Sequence, residues 1–461
     1  MRWTWRLSPL FLIPVLFSVS CGDVQKELVT AVRSGDAAEV VRLLEKGADP
    51  DLEVAKTVTL LDSDKGVPLD DPRGTTVLML ASENGFREVA GALLDAGANL
   101  ELKDKKGLTA LLRAAEKDQG AVFRYLLERG ADPSVVENSN KNALMLTAEL
   151  GSATCLEAVL EGDVNVNAVD AGGRTPLMYA AMNGHLEVIR MLLEAGANLT
   201  RVDSAQWSAL MWACLGGHAA VVEALVAAGA DVQAKDATGR DALMEAAAEG
   251  NTEVVALLLE NGASIGSKDN EYRTPLMLAA SKGNTDTVEF LIGKGAEVGV
   301  WTNDGRTALM WAAIGGYSET IRALVDKRAS VNETDRDGWS ALTWAASKGH
   351  LDAVRTLLEL KARPNLRDKG GVPILAMAAS SSTVEVVGCL LEHGANANLK
   401  DSEGMTPLMY AAYEGKADTV KLLLEKGADV AVTAGDGATT AQSLARQNEH
   451  SELADFLLNA E

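Results

Sequence analysis

The sequence predicts an all-α solenoid of about 13 stacked helix-turn-helix units, each 33 residues long and joined to the next by a β-hairpin finger. Three observations carry this. A Thr/Ser-Pro/Ala-Leu frame returns at a fixed step. Helix-capping residues and glycines stand at constant offsets from it. The composition suits many small helices packed closely: 47% hydrophobic residues, only 4% aromatic, and 42 glycines.

The frame begins at Thr76, Thr109, Asn142, Thr175, Ser208, Asp241, Thr274, Thr307, Ser340, Pro373 and Thr406, every step being 33 residues. Thr440 opens a degenerate unit one residue late, and "KELVTAVRSGDAAEVVRLLEKGADP" (26–50) is an earlier copy without the motif. Residues 21–461 therefore read as one repeat domain, with an insertion at about 51–72 in the first finger and a C-terminal capping repeat at about 437–461.

The fullest unit is "GRTPLMYAAMNGHLEVIRMLLEAGANLTRVD" (173–203). Thr175 can cap a helix, and Pro176 fits its first turn, where the missing N–H costs nothing. Gly184 can end that helix in the left-handed conformation. Leu186, Ile189, Leu192 and Leu193 then give a second helix its apolar stripe, and Gly196 closes it. One unit cannot bury that stripe alone, whereas a stack can. In the fourth unit, the one opening at Asn142, Asp163 stands where glycine is expected, so that helix should end differently.

The unit resembles the ankyrin repeat, through T-P-L, A-A, G-H and G-A at fixed offsets, and the resemblance covers essentially all of the chain after its first 20 residues. It implies stacked helix pairs whose short first helices line a concave, protein-binding side, with no chemistry of their own.

The first 20 residues stand apart. Arg2 and Arg6 precede the apolar run "LSPLFLIPVLFSVS" (7–20), which is signal-peptide architecture. "SVSC" (18–21) resembles a bacterial lipobox. Val19 and Ser20 fit it, and Ser18 departs from the usual leucine. This implies lipidation at Cys21, and Gly22 implies the outer membrane. The expected chain is exported, on the periplasmic or cell-surface face, and touches the membrane only through its N-terminal anchor.

A net charge of −22 repels nucleic acid and anionic lipid surfaces. Cys155, Cys214 and Cys389 are odd in number and far apart, so no disulfide framework is visible. No catalytic constellation emerges. His185, His218, His350 and His450 share one repeat position, and His393 precedes Gly394 at a helix end. No cofactor or metal is expected. "DSDKG" (62–66) is one residue short of a calcium loop, and "DRDG" (335–338) reads as a turn. Met79, Met145, Met178, Met211, Met244, Met277, Met310 and Met409 fill the position where the family usually has His. They read as packing, because one copper ion could not reach sulfurs in successive repeats.

Two rows distinguish this chain from its repeat. The residue after the methionine position reads Leu80, Arg113, Leu146, Tyr179, Trp212, Glu245, Leu278, Trp311, Trp344, Met377 and Tyr410. The charges at 113 and 245 argue against deep burial of this slot. The residue before the frame reads Lys141, Arg174, Trp207, Arg240, Arg273, Arg306 and Trp339. Apart from Trp3 and Trp5, every tryptophan lies between 207 and 344, whereas a packing role would spread them over all units. Tyrosine, tryptophan and arginine are also the residues richest in interface energy. The candidate partner-binding residues are therefore Tyr179, Trp207, Trp212, Trp311, Trp339, Trp344, Tyr410, Arg174, Arg240, Arg273 and Arg306. The expected function is a monomeric, non-enzymatic scaffold or adaptor for a protein or peptide. Two alternatives are an envelope glycan stacking on the tryptophans and a basic toxin covered by the acidic surface.

Overall fold

The computed structural model describes residues 21–57 and 73–460. The signal-peptide reading of residues 1–20 lies outside them, as does most of the 51–72 insertion, of which residues 54–57 form one 3₁₀ turn. The side chain of Cys21 also lies outside the described set. The chain divides into two compact units, one closing at Ser204 and the other opening at Ala205.

Among the described residues the chain forms 26 α-helices, which follow one another as pairs. Each first helix packs on its own second helix. Within a unit, first helices pack on first helices and second on second. The N-cap of each first helix falls on the sequence frame. At Thr76, Thr109, Asn142, Thr175, Ser208, Asp241, Thr274, Thr307, Ser340, Thr406 and Thr440 the side chain accepts from the backbone N–H three residues on. Pro373 has no side-chain acceptor and caps by conformation alone.

The methionine position also serves the cap. In three repeats the N-cap N–H donates to the sulfur, as from Thr175 to Met178 Sδ at 3.4 Å. A thioether is a weak acceptor, so one residue both fills the core and partly satisfies the cap. Behind it lies the shared core. Leu309, Met310, Ala312 and Ala313, with Ile321 and Leu324 of the following helix, are all buried. The alanines let the helices approach closely.

Second helices mostly end on a left-handed glycine. Gly196 has φ 84°, and Ala197 N–H reaches the carbonyl of Leu192 at 2.9 Å. Arg328 and Lys361 hold the same conformation without being glycine, both at φ 71°. The Asp163 repeat does end differently. Helix Ala153–Leu160 closes through Glu161, and neither Gly162 nor Asp163 is left-handed.

No extended strand occurs among the described residues. The fingers are turns, and several connections carry a single antiparallel bridge, among them Glu53 with Thr76, Lys235 with Asp241, Thr334 with Ser340, and Arg367 with Pro373.

Histidines open second helices and tie repeats together. His350 Nε2 donates to the carbonyl of Ile314 at 2.9 Å, and His185 Nε2 to that of Glu149 at 2.9 Å. Asn251 and Asn284 make the same bridge with their amides. The ring lies against the glycine that ends the preceding first helix. A Cβ on Gly316 would stand 2.7 Å from the His350 ring, at φ 76°. Gly316→Ala should therefore destabilise by about 1–3 kcal/mol, from strain plus displacement of the ring. Gly295→Ala, at φ 98° with open space around it, should cost only the strain, about 1 kcal/mol. Urea unfolding of both variants checks this, and equal losses would rule out the ring contact as a constraint.

Candidate partner-binding site

Each finger is organised by one acidic side chain. Asp335 Oδ1 accepts from the N–H groups of Asp337 and Trp339 at 3.0 and 2.8 Å, which pins the turn. The "DRDG" stretch is thus a turn, as expected. The other oxygen faces the first helix. Asp335 Oδ2 accepts from Trp344 Nε1 at 2.9 Å. The same geometry recurs where Tyr179 donates to Asp170 at 2.6 Å and Tyr410 to Asp401 at 2.7 Å. Burial and this bond together push both phenols well above the ordinary tyrosine range.

The slot is deeper than its charges suggest. Arg113 is 1% exposed, Tyr179 2% and Glu245 4%. The expectation that charge keeps this slot near solvent is therefore wrong. These charges are paired, and pairing offsets part of the penalty for burial. Arg113 contacts Asp104, with Glu116 at 3.2 Å and Glu83 at 3.6 Å. Glu245 lies 3.2 Å from Arg240. Burial still dominates at Glu245 and raises its carboxyl above the usual range, against the opposing pull of Arg240.

Four of the five rings in this slot keep part of their surface open. Trp212, Trp311, Trp344 and Tyr410 are half-buried, and so are Trp207, Trp339 and the four arginines. Two tryptophan pairs form. Trp207 and Trp212 have ring centroids 4.8 Å apart, tilted by 50°. Trp339 and Trp344 are 4.5 Å apart, tilted by 52°. Both fit the tilted stacking that aromatic pairs prefer. Arg306 lies over Trp344 at 4.5 Å and over Trp311 at 5.3 Å. Its charge also approaches Asp304 at 3.1 Å. Arg273 pairs with Asp269 at 2.7 Å, and Arg174 with Asp170 at 3.0 Å. The arginine row is thus largely engaged within the chain. Tyr179 and Arg174 belong to the first unit, and the other nine candidates to the second.

Sequence reasoning missed the aspartates, although their signal is plain: Asp104, Asp170, Asp236, Asp269, Asp335, Asp368 and Asp401 repeat in multiples of 33. Glu137 keeps a carboxylate in this register, whereas positions 302 and 434 lack one. Thr302 stands in the aspartate's place, and its Oγ1 takes only the inner role, accepting from Arg306 N–H at 3.0 Å. Nothing replaces the outer oxygen, so Trp311 Nε1 and Arg306 Nε are buried without a hydrogen-bond partner. The described residues contain no group of three His, Cys, Asp or Glu side chains placed to hold a metal. No described helix is long and apolar enough to cross a membrane.

Paired helices, left-handed glycines and turn-bound fingers define a helical repeat protein. A sequence-family profile of ankyrin repeats (3 copies) matches residues 28–137, 130–203, 201–269, 276–368 and 360–434, so the chain belongs to the ankyrin-repeat family. This family is generally non-catalytic and generally mediates protein–protein interaction. No curated protein matches the chain.

Two stability predictions follow from unpaired polar atoms. Thr302→Asp should return an acceptor to Trp311 Nε1 and stabilise by about 1 kcal/mol, read by urea unfolding. Trp311→Phe, which deletes the orphan donor, should then remove most of the benefit of Thr302→Asp. The second concerns Asp241, a buried cap whose Oδ2 has no partner. Burial raises its pKa above the ordinary aspartate value, although the N–H of Met244 pulls the other way. The fold therefore favours protonated Asp241. That contribution is present below the unfolded pKa and is lost as pH rises through the folded one. Asp241→Asn keeps the cap. It should raise stability near neutrality, with a benefit that shrinks as pH falls through the raised folded pKa and is gone below about 4. Unfolding midpoints across that range check the sign.

Proposed function

We propose that the chain is a non-enzymatic scaffold or adaptor of the bacterial cell envelope, exported and anchored through a lipidated Cys21, which binds a protein or peptide along its row of rings. The observation that carries the binding reading is the partial exposure of that row. Leucine fills the same slot completely at Leu80, Leu146 and Leu278. Packing alone therefore does not require tryptophan there. Trp212, Trp311 and Trp344 fill the slot and still leave ring surface facing solvent. Rigid rings of this kind bind at low entropic cost and are frequent interface anchors. The exported, anchored part rests on the Arg2–Ser20 leader pattern and the SVSC sequence.

Affinity capture with the 22–461 chain, followed by mass spectrometry, should yield a specific protein. Trp212→Ala, Trp311→Ala and Trp344→Ala should each then weaken that complex by about 2 kcal/mol, read by calorimetry. If all three leave affinity unchanged, the row of rings is packing and not an interface. Retention of purified cell-wall glycan in place of protein would favour the carbohydrate alternative. The mass of the native N-terminus decides the anchor.

A further inference from the structure

Two large rings on the fingers of the second unit stand outside the row on the first helices. Tyr272 is 52% exposed and Trp301 59% exposed. Both depart from the repeat. Tyr272 sits at φ 64°, where other fingers place Gly239, Gly305 and Gly338 or the smaller polar Asn140 and Gln206. A bulky side chain in that conformation is strained, which invites a functional explanation. Trp301 occupies the register of Lys103, Lys235 and Lys400, whose ammonium groups each donate to a carbonyl of the next finger. Lys268 shares that register and makes no such bond. Its Nζ lies 5.5 Å from the centroid of the Tyr272 ring.

The two rings border an open cleft of about 750 Å³, whose walls also carry Lys268, Glu297, Asn303 and Arg336. That volume suits a few residues of an extended peptide. Neither Lys268 nor Arg336 has an ion-pair partner among the described residues, although the deeper arginines are paired. The chain as a whole carries a net charge of −22. Two free cations face one carboxylate beside two flat apolar surfaces. Beyond roughly 10 Å the acidic remainder of the chain is screened, so a single external carboxylate can dock here. A long polyanion would have to cross acidic surface as well.

We propose that this cleft receives an acidic peptide segment, its apolar side chain stacked on Tyr272 and Trp301 and its carboxylate held between Lys268 and Arg336. This rests on the protein-binding reading and assigns the charged part of the partner to the fingers. It also argues against a basic partner.

The test titrates the 22–461 chain with acetyl-Leu-Glu-Pro-Leu-Glu-amide, its glutamine twin and its lysine twin, followed by tryptophan fluorescence up to ~1 mM peptide. The acidic peptide should bind saturably and weaken with added salt. The glutamine twin should bind at least about tenfold more weakly, and the lysine twin not at all. Trp301→Ala should abolish binding. Arg336→Gln and Lys268→Gln should each weaken it several-fold. All these side chains are exposed or half-buried, and circular dichroism confirms that each variant is folded. No binding of the acidic peptide, equal binding of the glutamine twin, or indifference to Trp301→Ala overturns the proposal. So does a cell-wall oligosaccharide that displaces the peptide at lower concentration than the peptide itself requires. A captured protein that depends on Trp212 and Trp344 yet ignores Trp301→Ala and Arg336→Gln sinks the finger site alone. Failure to capture any protein, with peptide binding intact, sinks the scaffold reading alone.

Discussion

The second unit, like the first, depends on one two-handed interaction, the aspartate at the base of each finger. Its inner oxygen holds the turn closed through backbone N–H groups two and four residues on, as Asp269 does for Glu271 and Arg273. Its outer oxygen holds a side chain, as Asp335 holds Trp344 and Asp401 holds Tyr410. Finger and first helix are thereby coupled through a single buried carboxylate. A buried carboxylate is tolerable only when its oxygens are satisfied. The slot must therefore offer a donor, or a neighbouring arginine must supply one. That requirement accounts for the phenols of Tyr179 and Tyr410, the indole of Trp344 and the guanidinium of Arg113.

A second set of bonds runs from repeat to repeat. Residues at the start of second helices reach back to carbonyls about 36 residues earlier, as His185 does to Glu149. Asparagines in the fingers do the same further out. Asn365 Oδ1 accepts from Asn396 N–H at 2.8 Å, while its amide donates to Gly394 at 2.9 Å. These links place polar cross-linking at the rim, while the methionines keep the centre apolar. The glycine that precedes each second helix follows from the same contacts, since Gly151 and Gly415 each face a histidine ring at a distance no Cβ could share.

Much of this was legible in the sequence. The 33-residue frame located every first-helix cap from Thr76 to Thr440, because caps are local chemistry that a short motif records. Asp163 was recognised as an altered helix end for the same reason. The depth of the aromatic slot was not legible. Arg113 and Glu245 look exposed by type, and only their partners make burial acceptable. Those partners, Asp104 and Arg240, lie nine and five residues away around a turn. Burial is a property of the network, and single positions do not carry it. In the fingers, side-chain acceptors supply many of the turn bonds, and pairing between extended segments is limited to isolated bridges.

Thr302 joins these themes. Natural sequences tend to break their own rules where function intervenes. Here the chain gives up the outer carboxylate oxygen and leaves Trp311 Nε1 and Arg306 Nε unmatched. The same residue lines the cleft between Tyr272 and Trp301. Internal carboxylates elsewhere neutralise the arginines and fix the rings. Their absence at one finger leaves Arg306 on the faces of Trp311 and Trp344, with Asp304 as its nearest acid. A repeat stack offers nearly identical surfaces along its length, so recognition of one partner in one place requires a local exception. The replacement of a single structural aspartate supplies such an exception without disturbing the cap, the core or the register of the repeats on either side.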